Sequence, residues 1–202
     1  MPDLPAWASQ AIIAAGRRMD ARGWVPATAG NLSVRLPDGV LAITRSGCHK
    51  GHLDPGGIML VDNEGAPLTP GARPSAETGL HCQIYQAFPA AGAVLHGHSI
   101  PATVLSMLVR DDKVALARYE LLKAFEGQAT HDAVVDVPVF DNDQNIARLS
   151  RAMAPRLPGC RAGYLIRGHG VYTWGPDMDT ALARLEGLEF LLACELERRR
   201  TT

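Results

Sequence analysis

A short apolar run ending in two histidines constrains this chain more than any other feature of its sequence. The segment is GAVLHGHS, at residues 92–99, and its apolar half predicts a β-strand. Side chains alternate across a strand, so His96 and His98 must point to the same face, with only Gly97 between them. Two imidazoles on one face indicate either a half-exposed edge that tolerates polar residues or two of the ligands of a metal site.

A third histidine, His169, lies in the segment AGYLIRGHGVYTWG, which predicts two strands interrupted around Gly168 and Gly170. These glycines allow the backbone to bend and to approach a site closely. A histidine pair on a strand, joined by a distant third histidine, can form a metal site that keeps one position open for substrate. Neutral imidazole suits zinc, and also cobalt, iron or manganese, so ligand type alone leaves the metal open. A pair by itself is more often structural, and the third histidine favours the metal site.

The first half of the chain predicts a mixture of helices and strands. Residues 5–22 carry apolar groups at helical spacing. The segments NLSVRL and VLAITRSG predict a hairpin around the turn Asp38-Gly39, and GIMLVDNEG predicts another strand. A helix is predicted in GARPSAETGLHCQIYQAF, with Ser75 as its N-cap and Glu77 in its first turn. A further helix is predicted directly after the histidine pair.

The second half predicts a short helical piece in YELLKAFEG, a β-rich run in AVVDVPVF and an amphipathic helix in DNDQNIARLSRAMAPRL. The last element is a long helix in PDMDTALARLEGLEFLLACELERRR, whose apolar stripe could cover its own sheet or a neighbouring subunit. The stripe consists of Leu182, Leu185, Leu188, Leu191 and Leu192. No repeat or linker divides the chain, so we predict one α/β domain over residues 1–202, with a central, largely antiparallel sheet flanked by helices.

Composition excludes several classes of function. The chain has 202 residues, of which 47% are hydrophobic and 20% charged, and its formal net charge is −1. This balance predicts neither a nucleic-acid footprint nor attraction to an anionic membrane. The first residues do not resemble a signal peptide, and no apolar run is long enough for a membrane helix. The four cysteines form no CxxC pair and are expected to be reduced, so we expect a cytoplasmic protein.

Three turn-rich segments precede the histidine pair: GNLS at residues 30–33, TRSGCHKG at residues 44–51 and RPSAE at residues 73–77. Backbone N–H groups and hydroxyls in such turns can converge on an anion, and Lys50 could add a point charge for a phosphate. Each segment by itself is also an ordinary loop. Their occurrence together favours a phosphorylated substrate.

Two carboxylates are candidates for acid–base chemistry. Glu77 lies at a predicted helix start, where a glutamate commonly serves only to complement the helix dipole. Glu120 lies in RYELLKAF, among apolar neighbours that would desolvate it and raise its pKa. An exposed helix glutamate is the simpler interpretation of that position.

The order of GNLS, SGCHKGHL, PSAETGLH, VLHGHS, YELLKAF and RGHGVYTWG resembles the class II aldolase family over nearly the whole chain. The RGHGVYTWG segment and the glutamate after the histidine pair resemble the dehydratases of that family more than its aldolases. The resemblance implies a class II aldolase-like fold and one zinc ion per subunit. It also implies a phosphorylated ketose as substrate and a homotetramer with sites where subunits meet.

The resemblance also implies roles for individual residues. His96, His98 and His169 match the zinc ligands, and Glu120 matches the acid/base of the dehydratases. Glu77 matches the carboxylate that acts as base in the aldolases. The positions that match the phosphate-binding groups are Asn31, Ser46, Gly47 and Ser75, with Lys50 beside them.

One position departs from the pattern. Some dehydratases carry a substrate-contacting cysteine where this chain has Thr78, and Cys82 is not expected to replace it.

The reaction implied is loss of water from a ketose phosphate through a metal-stabilised enediolate. Aldol cleavage between C3 and C4 is the alternative within the same fold, and a non-catalytic metal-binding or interaction module is a third possibility.

Overall fold

The computed structural model describes residues 3–201 as an eight-stranded sheet with five α-helices. The helices are α1 Ala6–Ala21, α2 Thr78–Ala87, α3 Ile100–Leu108, α4 Ile146–Met153 and α5 Met178–Arg200. The strands are β1 Asn31–Arg35, β2 Leu41–Thr44, β3 Ile58–Val61, β4 Ala93–Gly97, β5 Lys113–Ala117, β6 Val134–Phe140, β7 Tyr164–Ile166 and β8 Gly170–Gly175. Short 3-10 turns lie at Lys50–His52, Pro55–Gly57, Glu120–Ala124 and Leu157–Gly159.

The sheet has the strand order β3-β2-β1-β4-β8-β7-β6-β5. Its neighbouring strands run antiparallel, except for the parallel pair of β6 and β7. The hairpin of β1 and β2 turns at Gly39, whose φ of +87° favours a residue without a Cβ. The predicted largely antiparallel α/β fold is confirmed.

Apolar residues cover both faces of the sheet. One cluster joins the sheet to α1, α3 and α5, and the other joins it to α2 and α4. The leucine stripe of α5 packs on its own sheet: Leu185, Leu188, Leu191 and Leu192 are buried and Leu182 is half-buried. Of the two partners that the sequence left open for this stripe, the sheet of the same chain is the one observed.

The start of α2 differs from the prediction. The helix begins at Thr78, so Glu77 and not Ser75 occupies the N-cap position, and Glu77 makes no side-chain cap bond. The Ser75 hydroxyl instead accepts a hydrogen bond from the backbone N–H of Glu77 at 3.3 Å. The predicted N-cap is wrong because the helix begins at Thr78, which places Ser75 before the N-cap position.

Strand β5 is an element that the sequence analysis missed. Its side chains alternate, with Val114 and Leu116 buried and Lys113 and Ala115 exposed, and it pairs with β6 along its whole length. The alternation in KVALA was the available signal. The helical piece predicted from YELLKAFEG is confined to the 3-10 turn Glu120–Ala124.

Within residues 3–201, none of the helices combines the length and the apolar character needed to cross a bilayer. Cys82 and Cys160 are buried, Cys48 and Cys194 are half-buried, and all four are free thiols.

Candidate metal centre

A row of side chains crosses the middle of the sheet and forms the floor of the candidate site. Asn31 on β1 is paired with His96 on β4, His96 with Tyr172 on β8, and Tyr172 with Tyr164 on β7. Residues paired in register lie side by side on one face of a sheet. All four side chains of this row are buried. They support two parts of the chain, the residues just after β4 and the residues just before β8.

The three predicted histidines converge at this row. Ring centroids lie 4.5 Å apart for His96 and His98, 5.0 Å for His96 and His169, and 4.7 Å for His98 and His169. Together with Glu77 they offer four ligand atoms that all lie within 4.8 Å of one another. The structure therefore brings together residues from β4, from the turn between β7 and β8, and from the start of α2.

Close backbone contacts position the histidines at the candidate site. The N–H of His98 donates to the carbonyl of Trp24 at 2.7 Å, which fixes the chain as it leaves β4. Gly168 has a φ of +64°, as the turn before β8 requires. A Cβ on Gly170 would lie 2.1 Å from the carbonyl oxygen of Gly97, so only glycine lets the two strands approach this closely.

His96 has the geometry of a pre-oriented ligand. Its Nδ1 lies 2.9 Å from the carbonyl oxygen of Val171 and must donate to it, which leaves the Nε2 lone pair available. That Nε2 is buried without a hydrogen-bond partner and lies 3.5 Å from Oε2 of Glu77. The ring stacks on Tyr172, with centroids 4.0 Å apart and planes 11° from parallel.

Glu77 connects the cluster to β1. Its Oε1 lies 2.8 Å from Nε2 of His169, and its Oε2 accepts a hydrogen bond from Nδ2 of Asn31 at 2.6 Å. Burial by itself would raise the pKa of Glu77, but the adjacent imidazoles of His169 and His96 outweigh it and hold the pKa well below its usual range. The carboxylate is therefore ionised.

The donor set fits a divalent metal ion. Burial, followed by the neighbouring imidazoles His96 and His169, lowers the pKa of His98 to about 3, so this ring is neutral at pH 7. Metal ligation requires neutral imidazole and ionised carboxylate. Nδ1 of His169, like Nε2 of His96, is buried without a partner. Three imidazoles and one carboxylate form a site that could hold a metal ion.

The turn-rich segments predicted to bind phosphate lie next to one another. Residues 45 and 74 form a β-bridge, and the N–H of Ser46 donates to the carbonyl of Arg73 at 3.2 Å. Gly47 has a φ of +78° and open space where a Cβ would stand. Asn31 donates to Glu77, which itself follows Ser75 by two residues.

Lys50, the predicted point charge for a phosphate, is buried. Its ammonium group donates to the carbonyl oxygens of Thr28 at 2.6 Å and Cys48 at 2.7 Å, and burial lowers its pKa. An ammonium group has three donors, so two of them tie neighbouring loops together and one remains.

Glu120 lies outside the cluster and is exposed. Its side chain is 72% accessible and forms an ion pair of 2.5 Å with Lys123, which lowers its pKa. Of the two interpretations that the sequence left open for Glu120, the exposed glutamate is the one observed, and the desolvated carboxylate with a raised pKa is not. The apolar neighbours that suggested burial, such as Leu122 and Phe125, turn towards the core while Glu120 points away.

A buried polar chain behind the cluster was missed by the sequence analysis. Oγ of Ser33 lies 2.8 Å from Nδ1 of His81 and 2.9 Å from Oη of Tyr85. Burial, followed by the neighbouring imidazole of His96, lowers the pKa of His81 to about 3. Tyr172 was missed as well, although its place two residues after Gly170 on a strand puts it on the face of the site.

Comparison with known proteins gives a consistent picture. The family described as Class II Aldolase and Adducin N-terminal domain matches residues 10–196. The chain is 66% identical over 195 residues to methylthioribulose-1-phosphate dehydratase of Gluconacetobacter diazotrophicus, covering 96% of this chain and 95% of the relative. It is 63% identical over 191 residues to the protein of the same name from Gluconobacter oxydans, covering 95% and 92%.

A solved structure shares the fold at lower identity. YgbL of Klebsiella pneumoniae superposes with a TM-score of 0.81 at 28% identity. The match covers 93% of this chain and 87% of YgbL.

Proposed function

This chain belongs to the class II aldolase and adducin family, and from that premise we propose that it is a lyase acting on 5-methylthioribulose 1-phosphate. The reaction removes water and gives 2,3-diketo-5-methylthiopentyl 1-phosphate, a step of methionine salvage. The family predicted from the sequence motifs is confirmed. The observation that carries the proposal is the convergence of three histidines and one glutamate in a chain with dehydratase relatives at 63–66% identity.

We propose zinc as the metal, one ion per subunit, held by His96, His98 and His169. Glu77 lies close enough to approach the same ion. When bound, a zinc ion supplies Lewis-acid stabilisation of the negative charge that develops on substrate oxygens, worth several kcal/mol.

The phosphate is proposed to bind where the turn-rich segments meet, at Asn31, Ser46, Gly47 and Ser75. The contact between the loops of Ser46 and Arg73 supports this placement, because it brings Gly47 and Ser75 to one side of the cluster. Lys50 contributes by holding the Thr28 and Cys48 carbonyls together, and its third N–H is left for the anion.

Dehydration needs groups that take the proton from C3 and protonate the departing C4 hydroxyl. We propose Glu77 and Glu120 for these roles. Glu77 lies in the cluster, whereas Glu120 is exposed, so Glu120 would act in the site of a neighbouring subunit. The homotetramer implied by the family resemblance supplies such a neighbour. Exposed apolar side chains, Leu121 at 39% next to Glu120 in the chain and Phe190 at 56% on α5, are the kind of surface that a subunit contact covers.

Aldol cleavage of a sugar phosphate between C3 and C4 is the second candidate. It is favoured by one observation, the position of Glu77 among the histidines, because the resemblance assigns that carboxylate the role of base in aldolases. No observation favours a module without catalysis.

Since phosphorylated sugars are intermediates of intracellular metabolism, the proposed location is the cytoplasm.

Turnover of two substrates by one purified sample tests the proposal. The enzyme is offered methylthioribulose 1-phosphate and, separately, fuculose 1-phosphate, with bound metal quantified. We expect a diketone phosphate from the first and little turnover of the second. Formation of dihydroxyacetone phosphate and an aldehyde would replace the proposal by aldol cleavage, and turnover of neither substrate by metal-loaded protein would reject both.

A further inference from the structure

The segment that carries Glu120 is attached to α5 by a hydrogen bond of the residue just before it. Oη of Tyr119 donates to Oε1 of Glu195 at 2.9 Å. Glu195 is 1% exposed, and its second oxygen accepts a hydrogen bond from Nη2 of Arg198 at 2.8 Å. Both oxygens of a buried carboxylate are thus engaged, one by Tyr119 and one by α5 itself.

Burying a carboxylate costs desolvation free energy, which apolar contacts between a helix and the core do not. Apolar residues of similar volume often stabilise a fold as well as a buried ion pair does, whereas the pair imposes a defined geometry. Glu195 lies among the leucines of α5, next to the buried Leu196. What Glu195 adds to this apolar face is a fixed acceptor for the Tyr119 hydroxyl.

Apolar packing already docks the same segment on α5. Leu122 is fully buried, and a Cβ on Gly187 would lie 3.2 Å from Cβ of Ala124, so the segment lies directly on the helix. These contacts fall after Glu120 in the chain. On its N-terminal side, β5 pairs with β6 as far as Ala117, and Tyr119 is held by packing against the core and by its hydrogen bond to Glu195.

The backbone before Tyr119 is also unusual. Arg118 has a φ of +65°, and within residues 3–201 the other non-glycine residue with a positive φ is Ala27. Such a conformation costs free energy for a residue with a Cβ, and it persists where flanking contacts hold it. Arg118 therefore forms a tight turn between β5 and the docked segment, with the bond of Tyr119 immediately after it.

We infer that Tyr119 and Glu195 are positioning residues that aim Glu120 towards the site of a neighbouring subunit. The inference rests on the role proposed above for Glu120. An exposed glutamate has a flexible side chain, and a small displacement of its backbone would misplace the carboxylate relative to the substrate, at a large cost in rate. The hydrogen bond sets that backbone position.

The test is a set of variants assayed on methylthioribulose 1-phosphate. We expect Tyr119→Phe to lower kcat about tenfold while KM changes by less than about twofold. Glu195→Gln, which keeps an acceptor for Tyr119, should retain more activity than Glu195→Ala. The control is Glu197→Gln, which breaks an exposed ion pair with Arg200 on the same helix and should leave kcat unchanged.

A double-mutant cycle separates positioning from a general loss of structure. If Tyr119 acts through Glu120, adding Tyr119→Phe to Glu120→Gln should cause no further loss of kcat. Metal content and oligomeric state should match the wild type, and amide hydrogen exchange should rise in residues 118–124.

Four results would overturn the inference: an unchanged kcat in Tyr119→Phe, additive losses in the double variant, equal losses in Glu195→Gln and Glu195→Ala, or loss of metal or of the oligomer. A fully active Glu120→Gln single variant would instead reject the role of Glu120 itself, and the positioning role with it. The Glu120→Gln single variant keeps Tyr119 unchanged, so its activity tests the role of Glu120 separately from the role of Tyr119.

Discussion

His96 is held from two directions. Val171 accepts its Nδ1–H, and Tyr172 stacks on its ring. The hydrogen bond sets the tautomer and the stacking sets the plane of the ring. Gly170 leaves room for the ring, since a Cβ there would come within 3.1 Å of Cε1 of His96.

We expect His96→Ala to bind less than about a tenth of the zinc that the wild type binds, since removal even of groups that orient a ligand costs 10- to 100-fold in affinity. The measurement is metal content after equilibration with zinc and removal of the excess. The matched control is His131→Ala, whose side chain is 57% exposed and pairs with Asp132. Undiminished metal content in His96→Ala would show that the ion binds elsewhere.

Helix α5 combines a leucine stripe with two buried carboxylates, Glu189 and Glu195. Oε2 of Glu189 accepts a hydrogen bond from Oγ of Ser99 at 2.5 Å, and Ser99 in turn caps α3 through the N–H of Ala102. Ser99 directly follows His98 in the chain. The helix thus holds both the residue after His98, a proposed metal ligand, and the residue before Glu120.

Burial raises the pKa of Glu189 to about 7, although the hydrogen bond from Ser99 lowers it in part. The unfolded chain releases this proton near pH 4.3, so between about pH 4.5 and 7 the folded state binds more protons. The free energy of unfolding should therefore fall by about 3 kcal/mol across that window because of this group, and then level off.

The variant Glu189→Gln cannot ionise, so this part of the fall should disappear. The measurement is urea unfolding at pH 5 and pH 8, with Glu197→Gln as the control that removes an exposed carboxylate from the same helix. A fall between pH 5 and 8 that is as steep in Glu189→Gln as in the wild type would contradict the prediction.

At the scale of the whole molecule, one chain assembles the candidate metal site but keeps the second proposed acid/base at its surface. Glu77, His96, His98 and His169 lie together, whereas Glu120 is paired with Lys123 in solvent. Large apolar side chains are also exposed, among them Ile100 at 72% and Met107 at 65%. A site shared between subunits would account for both features.

Co-expression of two inactive variants tests this sharing. A His96→Ala subunit retains Glu120, and a Glu120→Gln subunit retains the histidines, so a mixed oligomer can rebuild complete sites. With random mixing, about a quarter of the sites would have both groups intact, and activity should recover to about that fraction of the wild type. Activity that stays at the level of the separate variants would place both groups in one chain or exclude one of them.

Much of the fold follows from local pattern. A short apolar run predicted β4, two segments around the turn Asp38-Gly39 predicted the β1–β2 hairpin, and helical spacing of leucines marked α5, because each pattern follows from backbone geometry. Strand β5 was not predicted because its alternating pattern covers only five residues. It is the edge strand of the sheet and pairs with β6. The three histidines could be proposed as one group because glycines flank them and strand periodicity aims two of them together.

The sequence by itself determined most of the elements, the histidines of the candidate site and the family. Tertiary structure decided how the polar side chains near them are used: Glu77 binds Asn31 and His169 and does not cap α2, Lys50 joins two loops, and Glu120 lies in solvent. The physical reason is that periodicity acts over neighbouring residues, which the sequence displays. Burial and the pKa values that follow from it depend on which distant elements pack together, and only the folded chain brings those elements into contact.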